Sequence, residues 1–289
     1  MPDRLASPPF IATCPVGCAA PLQATPMLLP EGPLRACPEC GQLVSSVDES
    51  GYWSSMEEFD TEAGTKPEEK SVARRDRRAG RILEAIRTGL GGGERSMSLL
   101  DVGCSSGVFM AAARARGFDA QGVEPAPKAA RTAEGAGFRV FCGTLDKAGI
   151  ESGTFDAITI LEVIEHLRDP VSLLRECRRI LKPGGILAIG TGNAGSLTVR
   201  ALGTEWDYLQ IARHGGHISF FNRRSMRLLA ERAGFDVEQI RTRRVSFVAD
   251  DSGSRLRYRL LKTAGEIMSA FAALAGQGHD MLALLRPKP

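Results

Sequence analysis

The sequence predicts an α/β fold, in which a mostly parallel β-sheet carries helices on both faces and follows a small cysteine-bearing module. Short apolar runs alternate with helix-like segments from residue 97 onward, and a glycine-rich turn follows the first of these runs. Strands and helices that alternate at this length form a parallel sheet buried on both faces. Four of the seven cysteines lie in two close pairs within the first 50 residues, which indicates the module.

Length and charge narrow the class of protein. The 289 residues are enough for one large domain and a small appendage, and 43% apolar with 25% charged residues is typical of a globular protein. The net charge is only +3, so the composition does not indicate a nucleic-acid partner. The arginine clusters at residues 74–78 and 241–244 are interpreted as solvated faces.

The lengths of the apolar runs indicate the cellular compartment in which the protein is expected. No run reaches the ~18 uncharged apolar residues of a membrane span. The first residues lack the basic start and the apolar run of a secretory signal peptide. We therefore expect a cytoplasmic protein whose cysteines are reduced.

Three segments are predicted along the chain. Residues 1–50 are rich in Pro, Gly and Cys and show no helical periodicity, so they are assigned to the module. Within residues 51–96, the polar stretch 57–69 is typical of a flexible loop, and residues 68–90 are helix-like until three glycines end them. The main domain is residues 97–289, with residues 194–221 and 250–276 as substrate-side insertions.

Within the main domain, apolar runs predict the first strands at residues 98–102, 119–123, 138–142, 155–161 and 185–190. Alanine-rich helices are predicted between them at residues 108–116 and 128–136. An amphipathic helix at residues 171–181 ends at a Lys-Pro-Gly-Gly run. A later helix, capped by Asn222 and stopped by Gly234, precedes a strand that starts at Phe235.

The glycine-rich turn is the run LLDVGCSSG at residues 99–107. Gly103 and Gly107 let the backbone turn tightly and let a ligand approach it, while the following helix offers free N–H groups. The next predicted strand ends at Glu124, where a carboxylate can accept both hydroxyls of a ribose. The spacing is G-x-x-x-G preceded by Asp101, and not G-x-G-x-x-G, so NAD and FAD are disfavoured. The alternative is a turn that serves packing alone.

Further motifs accompany this turn, namely FDAI at residues 155–158, LEVIEHL at 161–167, Asp169-Pro170, and LKPGG at 181–185. With these motifs, from about residue 97 to the end, the chain resembles the class I methyltransferases that depend on S-adenosylmethionine (SAM). The resemblance implies a Rossmann-like sheet of seven strands, whose last strand, supplied by residues 279–286, is antiparallel. It also implies an enzyme that transfers the methyl group of SAM.

The resemblance further implies which residues bind the cofactor. Asp101, Gly103 and Gly107 would hold the methionine end of SAM, and Glu124 would hold its ribose. Pro125, Thr144 and Leu145 would flank the adenine, and Leu161 would line the methionyl side. The full candidate set is Asp101, Gly103, Cys104, Ser105, Gly107, Glu124, Pro125, Thr144, Leu145 and Leu161. The family often has Thr-Pro-Asn after the fifth strand, whereas Thr191-Gly192-Asn193 stand here.

Candidate acceptor-side residues follow the fourth strand, where open α/β sheets place ligands. Glu162, Glu165 and His166 share one face if a helical turn begins there. Two carboxylates and an imidazole suit a hard cation such as Mg²⁺ or Mn²⁺. The run is similar to that of ubiquinone-pathway catechol O-methyltransferases and small-RNA 2′-O-methyltransferases, where it supplies metal ligands. By that resemblance His217 would complete the site.

The alternative is an acceptor site without a metal. Many metal-free relatives carry a similar Glu-His-Leu tip. In that case His166 or His217 would be the general base, since an imidazole titrates near working pH. The candidate catalytic residues are therefore His166, His217 and Glu165.

A second resemblance concerns residues 202–206, the run HISFF at 217–221, and Gly234-Phe235. These segments look like a branch found among bacterial enzymes that modify sugars, lipids and secondary metabolites. The aromatic residues of the region either wall the substrate pocket or belong to the core, and they are Trp206, Tyr208, Phe220 and Phe221. For the two phenylalanines we favour the core.

The cysteine pairs Cys14/Cys18 and Cys37/Cys40 form two candidate knuckles. Four thiolates so arranged match a tetrahedral structural zinc site, which would supply much of the folding free energy of so short a segment. The alternative is a ribbon that has lost its metal. Similar cysteine-rich heads precede both sugar-modifying and some rRNA methyltransferases, so the module leaves the substrate open.

Residues 250–276 predict a helix with apolar and cationic side chains. We favour a lid over the substrate cleft or a homodimer contact. A membrane-surface helix is the alternative.

Three functions are weighed. The leading one is O-methylation of a small hydroxylated acceptor, such as a sugar, a glycan precursor or a secondary metabolite. The second is an RNA methyltransferase that uses the zinc ribbon to bind RNA, which the small net charge disfavours because phosphate neutralisation dominates RNA affinity. The third is a non-catalytic SAM-binding or zinc-ribbon adaptor, which the intact glycine turn and Glu124 disfavour.

Overall fold

The computed structural model describes residues 7–62, 69–93, 96–248 and 255–289. Its strands are β1 (Gln23–Leu29), β2 (Gly32–Ala36), β3 (Leu43–Val44), β4 (Met97–Val102), β5 (Phe118–Glu124), β6 (Arg139–Cys142), β7 (Phe155–Leu161), β8 (Leu181–Gly192), β9 (Ser219–Phe220), β10 (Phe235–Arg243) and β11 (Asp280–Pro287). Its helices are α1 (Glu49–Glu62), α2 (Glu69–Gly89), α3 (Val108–Arg114), α4 (Pro127–Gly135), α5 (Pro170–Ile180), α6 (Leu197–Leu202), α7 (Ile211–His214), α8 (Arg223–Arg232) and α9 (Arg255–Leu274).

The core is a seven-stranded sheet in the order β10-β11-β8-β7-β4-β5-β6. β11 is antiparallel to both of its neighbours, whereas β4, β5, β6, β7 and β8 pair in parallel. The predicted Rossmann-like sheet with an antiparallel last strand is therefore confirmed. Since β4 lies between β5 and β7, the loops that follow these three strands meet at one edge of the sheet.

Helices cover both faces of this sheet, as the alternating pattern predicts. Successive side chains of a strand point to opposite faces. Leu99 accordingly packs in a cluster with Leu83 and Ile86 of α2, whereas Leu100 lies in the cluster that holds Leu174 of α5. α8 shares the face of α5, and its predicted cap Asn222 closes a capping box with Ser225.

The N-terminal residues share a second sheet with the main domain. β1, β2 and β3 are antiparallel, and β3 pairs with β9, with Leu43 opposite Phe220 and Val44 opposite Ser219. The domain boundary at residue 50 stays a prediction, and the second sheet contains strands from both sides of it.

The structure differs from the predicted loop at residues 57–69, because α1 continues to Glu62. α1 begins after Asp48, whose Oδ1 accepts a hydrogen bond from the Gly51 amide at 2.8 Å. Its buried Tyr52 stacks on Phe10, with ring centroids 4.5 Å apart. These contacts hold the start of a helix whose sequence is polar. Residues 63–68 lie outside the described residues.

α9 lies against the segment that follows β10, because a Cβ on Gly265 would stand 2.8 Å from the carbonyl oxygen of Val245. Its opposite side exposes a stripe of large apolar residues, namely Leu260, Ile267, Phe271 and Leu274. The lid, homodimer and membrane-surface interpretations of residues 250–276 stay predictions. Among the described helices, none combines the length and apolar content that a membrane crossing requires.

Candidate active site

The glycine turn after β4 depends on left-handed backbone. Gly103 and Gly107 have φ angles of +76° and +85°, a region that favours glycine. A Cβ on Gly103 would overlap the side chain of Val163, so the turn packs directly on the segment that follows β7. The Gly103 amide donates to the carbonyl of Val123 at 2.8 Å, which fixes the turn beside β5.

Glu124 ties the end of β5 to this turn. Its carboxylate is 8% exposed and accepts hydrogen bonds from the amides of Ser105 at 2.8 Å and Ala126 at 2.9 Å. Each carboxylate oxygen has two lone pairs, so both can also accept a hydroxyl. The predicted ribose ligand therefore lies next to the predicted methionine loop, with its oxygens held by two backbone donors.

Asp101 lies at the centre of the same edge and is 3% exposed. Burial raises the pKa of its carboxyl group to about 7, and the charge of Glu124 adds to this effect. The hydroxyl of Thr159 donates to its Oδ1 at 2.7 Å, because Asp101 and Thr159 stand opposite each other in the β4–β7 pair. Thr159 was missed from the sequence, since only the strand register brings it to Asp101.

The remaining candidate cofactor-binding residues differ in burial and in the atoms that a ligand could contact. The thiol of Cys104 packs with Met110 and Phe138, and burial raises its pKa to about 12, so only its backbone remains for a ligand. Leu145 is buried and begins a 3₁₀ turn after Thr144, close to Glu124 because the Gly143 amide donates to the Glu124 carbonyl at 3.0 Å. Pro125 follows β5 directly, and Leu161 is half-buried at the end of β7.

The acceptor-side residues follow β7, where residues 164–166 form the predicted turn as a 3₁₀ helix. The potential ligand atoms of Glu165, His166 and His217 lie within 4.8 Å of one another. The rings of His166 and His217 meet edge to face, with centroids 4.8 Å apart. Three of the four predicted metal ligands are thus brought together.

Glu162 is held apart from this group. Its Oε1 forms an ion pair with Arg78 of α2, and its Oε2 accepts a hydrogen bond from the Tyr208 hydroxyl at 3.2 Å. The guanidinium of Arg78 supplies a positive charge beside Glu162, so Glu162 lies outside the group that could hold a cation, and the Mg²⁺ or Mn²⁺ site at Glu165, His166 and His217 stays a prediction. Arg78 belongs to the arginine cluster interpreted as a solvated face, and it remains exposed while it pairs with Glu162.

Tyr208 stands at the centre of the acceptor side. Its hydroxyl hydrogen-bonds to Oε1 of Glu165, lies 3.0 Å from the Thr191 hydroxyl and accepts from the Gly192 amide at 3.0 Å. Burial raises the pKa of Tyr208 well above its usual value, and burial likewise raises the pKa of the fully buried Glu165 to about 8. Burial thus favours the protonated form of both groups.

The two histidines have different partners. Nδ1 of His217 lies 2.9 Å from the Tyr208 carbonyl and so carries the proton, which leaves a lone pair on Nε2, 3.8 Å from Glu165. Burial lowers the pKa of both rings, that of His166 to about 4, so both are neutral at pH 7. Nδ1 of His166 is buried and has no hydrogen-bond partner among the described residues.

Three of the four aromatic residues within residues 202–221 are buried, and Tyr208 is half-buried. Phe220 and Phe221 belong to the core, as favoured from the sequence. Trp206 stacks on Tyr208 with ring centroids 5.0 Å apart, and so helps to hold the Tyr208 hydroxyl in its network. The sequence indicated an aromatic at position 208 but not its hydroxyl contacts, which join three segments of the chain.

The four N-terminal cysteines converge as predicted. The Sγ atoms of Cys14, Cys18, Cys37 and Cys40 all lie within 4.8 Å of one another and are buried. Each pair forms a tight turn, because the amides of Gly17 and Gly41 donate to the carbonyls of Cys14 and Cys37, both at 2.8 Å. Four thiols at this separation fit the donor set of a tetrahedral zinc site.

Comparisons with known proteins identify the fold and the family. A family described as a methyltransferase domain matches residues 73–240. A ubiquinone biosynthesis O-methyltransferase of Thiobacillus denitrificans is 30% identical over 153 residues, which cover 49% of this chain and 66% of the relative. One of Xanthomonas oryzae is 31% identical over 133 residues, covering 43% and 55%. The chain thus matches less than two thirds of the length of these relatives.

Solved structures agree with the sheet described above. A SAM-dependent methyltransferase of Thermotoga maritima superimposes with a TM-score of 0.51 at 18% identity, and the match covers 81% of this chain and 100% of the other. A SAM-dependent methyltransferase of Archaeoglobus fulgidus superimposes with a TM-score of 0.50 at 19% identity, and the match covers 72% of this chain and 93% of the other. At these identities the likeness shows the fold alone. Because the methyltransferase-domain family matches more than half of the chain, and the sheet is the one that family predicts, the protein belongs to the class I SAM-dependent methyltransferases.

Proposed function

We propose that this enzyme methylates a hydroxyl oxygen of a small acceptor, such as a sugar, a glycan precursor or a secondary metabolite. The observation that carries this proposal is the Nδ1 atom of His166 at the end of β7, which has no hydrogen-bond partner among the described residues. A hydroxyl nucleophile must lose a proton as it accepts a methyl group, and a neutral imidazole can take that proton. The relatives named O-methyltransferases support the same atom class.

The cofactor half of the site is the edge formed by β4 and β5. SAM, when bound, supplies a methyl group already activated by its sulfonium. The turn at Gly103 and Gly107 would hold its methionine end, and Asp101 lies at the end of the strand that precedes this turn. Glu124 would accept the ribose hydroxyls, and the loop at Thr144 and Leu145 would cover the adenine.

The acceptor half is the network around Tyr208. We assign His166 the role of proton acceptor, and Glu165 and Tyr208 the role of holding the turn that carries it. His217 is the second candidate base, because its Nε2 carries a lone pair and lies in the same cluster, 3.8 Å from Oε1 of Glu165. No step here runs through a divalent cation, since Glu162 is bound to Arg78.

Formation of S-adenosylhomocysteine tests this function. The protein, SAM and one of three acceptor classes (sugars, phenols, or structured RNA) are incubated with and without added Mg²⁺ or Mn²⁺. We expect product with a hydroxylated small molecule, none with its O-methylated analogue, and no response to the added metals. Methylation of RNA alone would replace the proposal with the RNA alternative, and dependence on Mg²⁺ would restore the cation site.

We also propose that Cys14, Cys18, Cys37 and Cys40 hold a structural zinc ion. The buried, converging thiols support this, because a dry cluster of four cysteines gains little without a metal. Elemental analysis of protein purified without added metal should give about one zinc per chain. A metal-free protein whose residues 7–48 resist protease would contradict it.

A further inference from the structure

The cysteine cluster is joined to the acceptor side of the active site by a short path. Gln42, two positions after Cys40, donates from Nε2 to the hydroxyl of Ser219 at 2.7 Å, and both side chains are fully buried. β3 then pairs with β9, and the Ser45 amide donates to the carbonyl of Ile218 at 2.9 Å. The residues directly after the second knuckle thus hold residues 218–220.

The same segment supports the candidate catalytic residues. The Ile218 amide donates to the carbonyl of Glu165 at 3.0 Å, and His217 directly precedes Ile218. The Tyr52 hydroxyl donates to the carbonyl of His166 at 3.2 Å, and Tyr52 in turn stacks on Phe10. Both histidine-bearing segments therefore receive hydrogen bonds from residues that precede the main sheet.

Both knuckles are also fixed to α8. Nδ2 of Asn222, the cap of α8, donates to the Cys40 carbonyl at 3.1 Å. Nη1 of Arg232, at the other end of the helix, donates to the Val16 carbonyl at 2.6 Å. The cluster cannot open without disturbing the helix that follows residues 217–221.

In the described part of the chain, the carboxylates of the cofactor half have no hydrogen bonds of this kind to the cysteine module, although Val102 and Leu145 share its apolar cluster. Among the described residues, the side-chain hydrogen bonds of Asp101 and Glu124 all end on Thr159, Ser105 and Ala126, within the large sheet and its loops. Loss of the cysteine cluster should therefore leave the SAM edge in place while it frees the acceptor side.

We infer that the metal-loaded cysteine cluster positions the histidine-bearing half of the active site, so that metal occupancy controls methyl transfer without controlling SAM binding. The inference rests on the proposed zinc site. The metal orders the knuckles, the knuckles order β3, and β3 holds residues 218–220 against Glu165. Gln42 and Ser45 are positioning residues in this arrangement.

Hydrogen exchange of the full chain tests this inference without any acceptor. In Cys40→Ser, zinc content should fall to near zero and the amides of residues 217–221 should exchange at least about tenfold faster. SAM affinity by calorimetry should stay within about twofold. The matched control is Cys142→Ser, an exposed cysteine on β6, which should change none of the three readings. Zinc loss with unchanged exchange at 217–221 would overturn the inference.

A second variant keeps the metal and breaks the path. Gln42→Leu leaves all four cysteines but removes the donor to Ser219, so zinc should stay bound while residues 217–221 exchange faster. If Cys40→Ser unfolds altogether, this variant decides: retained zinc with unchanged exchange overturns the inference. Because exchange and zinc content need no acceptor, a wrong acceptor class would fail the product test and leave these readings intact.

Discussion

Glu124 accepts hydrogen bonds from two backbone amides, and its remaining lone pairs are the proposed acceptors for the ribose hydroxyls of the cofactor. Glu124→Ala should weaken SAM binding by about 1.5–3 kcal/mol, because it removes a charged acceptor from the ribose hydroxyls. Calorimetry with SAM measures this, and Glu134→Ala, an exposed carboxylate on α4, is the control. Equal affinities in the two variants would show that Glu124 serves the turn alone.

A substitution of His166 should affect methyl transfer and leave SAM binding unchanged. His166→Ala is expected to lower the rate of methyl transfer by about 10²–10⁴, the usual contribution of a general base, with SAM affinity unchanged. His279→Gln is the control, since the His279 ring contacts Thr198 and Asp280 rather than Glu165 or His217. If His217→Ala lowers the rate of methyl transfer and His166→Ala does not, His217 is the general base and His166 is not.

Asp101 makes a pH-dependent contribution to stability. Burial raises its pKa to about 7 in the folded protein, so between about pH 4 and pH 7 the folded state binds more protons than the unfolded state. The free energy of unfolding should therefore fall across this window, by about 1.4 kcal/mol per pH unit at most. In the absence of SAM, Asp101→Asn should remove this fall in urea titrations. Parallel curves for the two proteins would mean that Asp101 is charged throughout.

Some residues of the candidate site could be predicted from the sequence, and others could not. Asp101, Gly103, Gly107 and Glu124 could be predicted because each sits at the end of a strand that its own apolar run reveals. Arg78 and Tyr208 could not, because they reach Glu162 across 84 and 46 positions and leave no local pattern.

Among the elements, the glycine turn and the β7 tip form one packed unit. Gly103→Ala should destabilise the protein by more than the ~1–2 kcal/mol that a left-handed backbone costs an alanine, because the new Cβ would overlap Val163. Gly153 shares the left-handed backbone, at φ +68°, but has open space around it, so Gly153→Ala isolates the backbone cost. Denaturant unfolding compares the two, and equal losses would mean that Val163 moves aside freely.

The strands and helices themselves were predictable, since the periodicity of each lies within its own segment. The succession of β4 to β8 along the chain and the cap of α8 follow from such local signals. The pairing of β3 with β9 does not, because each strand is two residues long and periodicity cannot show in so short a run. The helical start of residues 57–69 was missed for a similar reason, as its anchors Tyr52 and Phe10 precede it.

For the whole molecule, the shared sheet predicts how it unfolds. The cysteine cluster packs in the same apolar cluster as Met226 and Leu229, so the N-terminal residues and the main domain should lose structure together. Calorimetry of the zinc-loaded protein is expected to show one cooperative transition. A separate transition at lower temperature, whose midpoint falls when a chelator is added, would show that the N-terminal residues fold alone.

The distance between β3 and β9 along the chain matters most while the protein is being made. Gln42 and Ser219 are 177 positions apart, so at about 5–20 residues per second the partner of β3 leaves the ribosome roughly 10–35 s after β3 itself. During that delay β1, β2 and β3 present an unpaired edge, which can pair with the same edge of a neighbouring nascent chain. Early metal capture by the four cysteines would keep this edge short and tightly turned, so the supply of zinc during translation should influence the yield of folded enzyme.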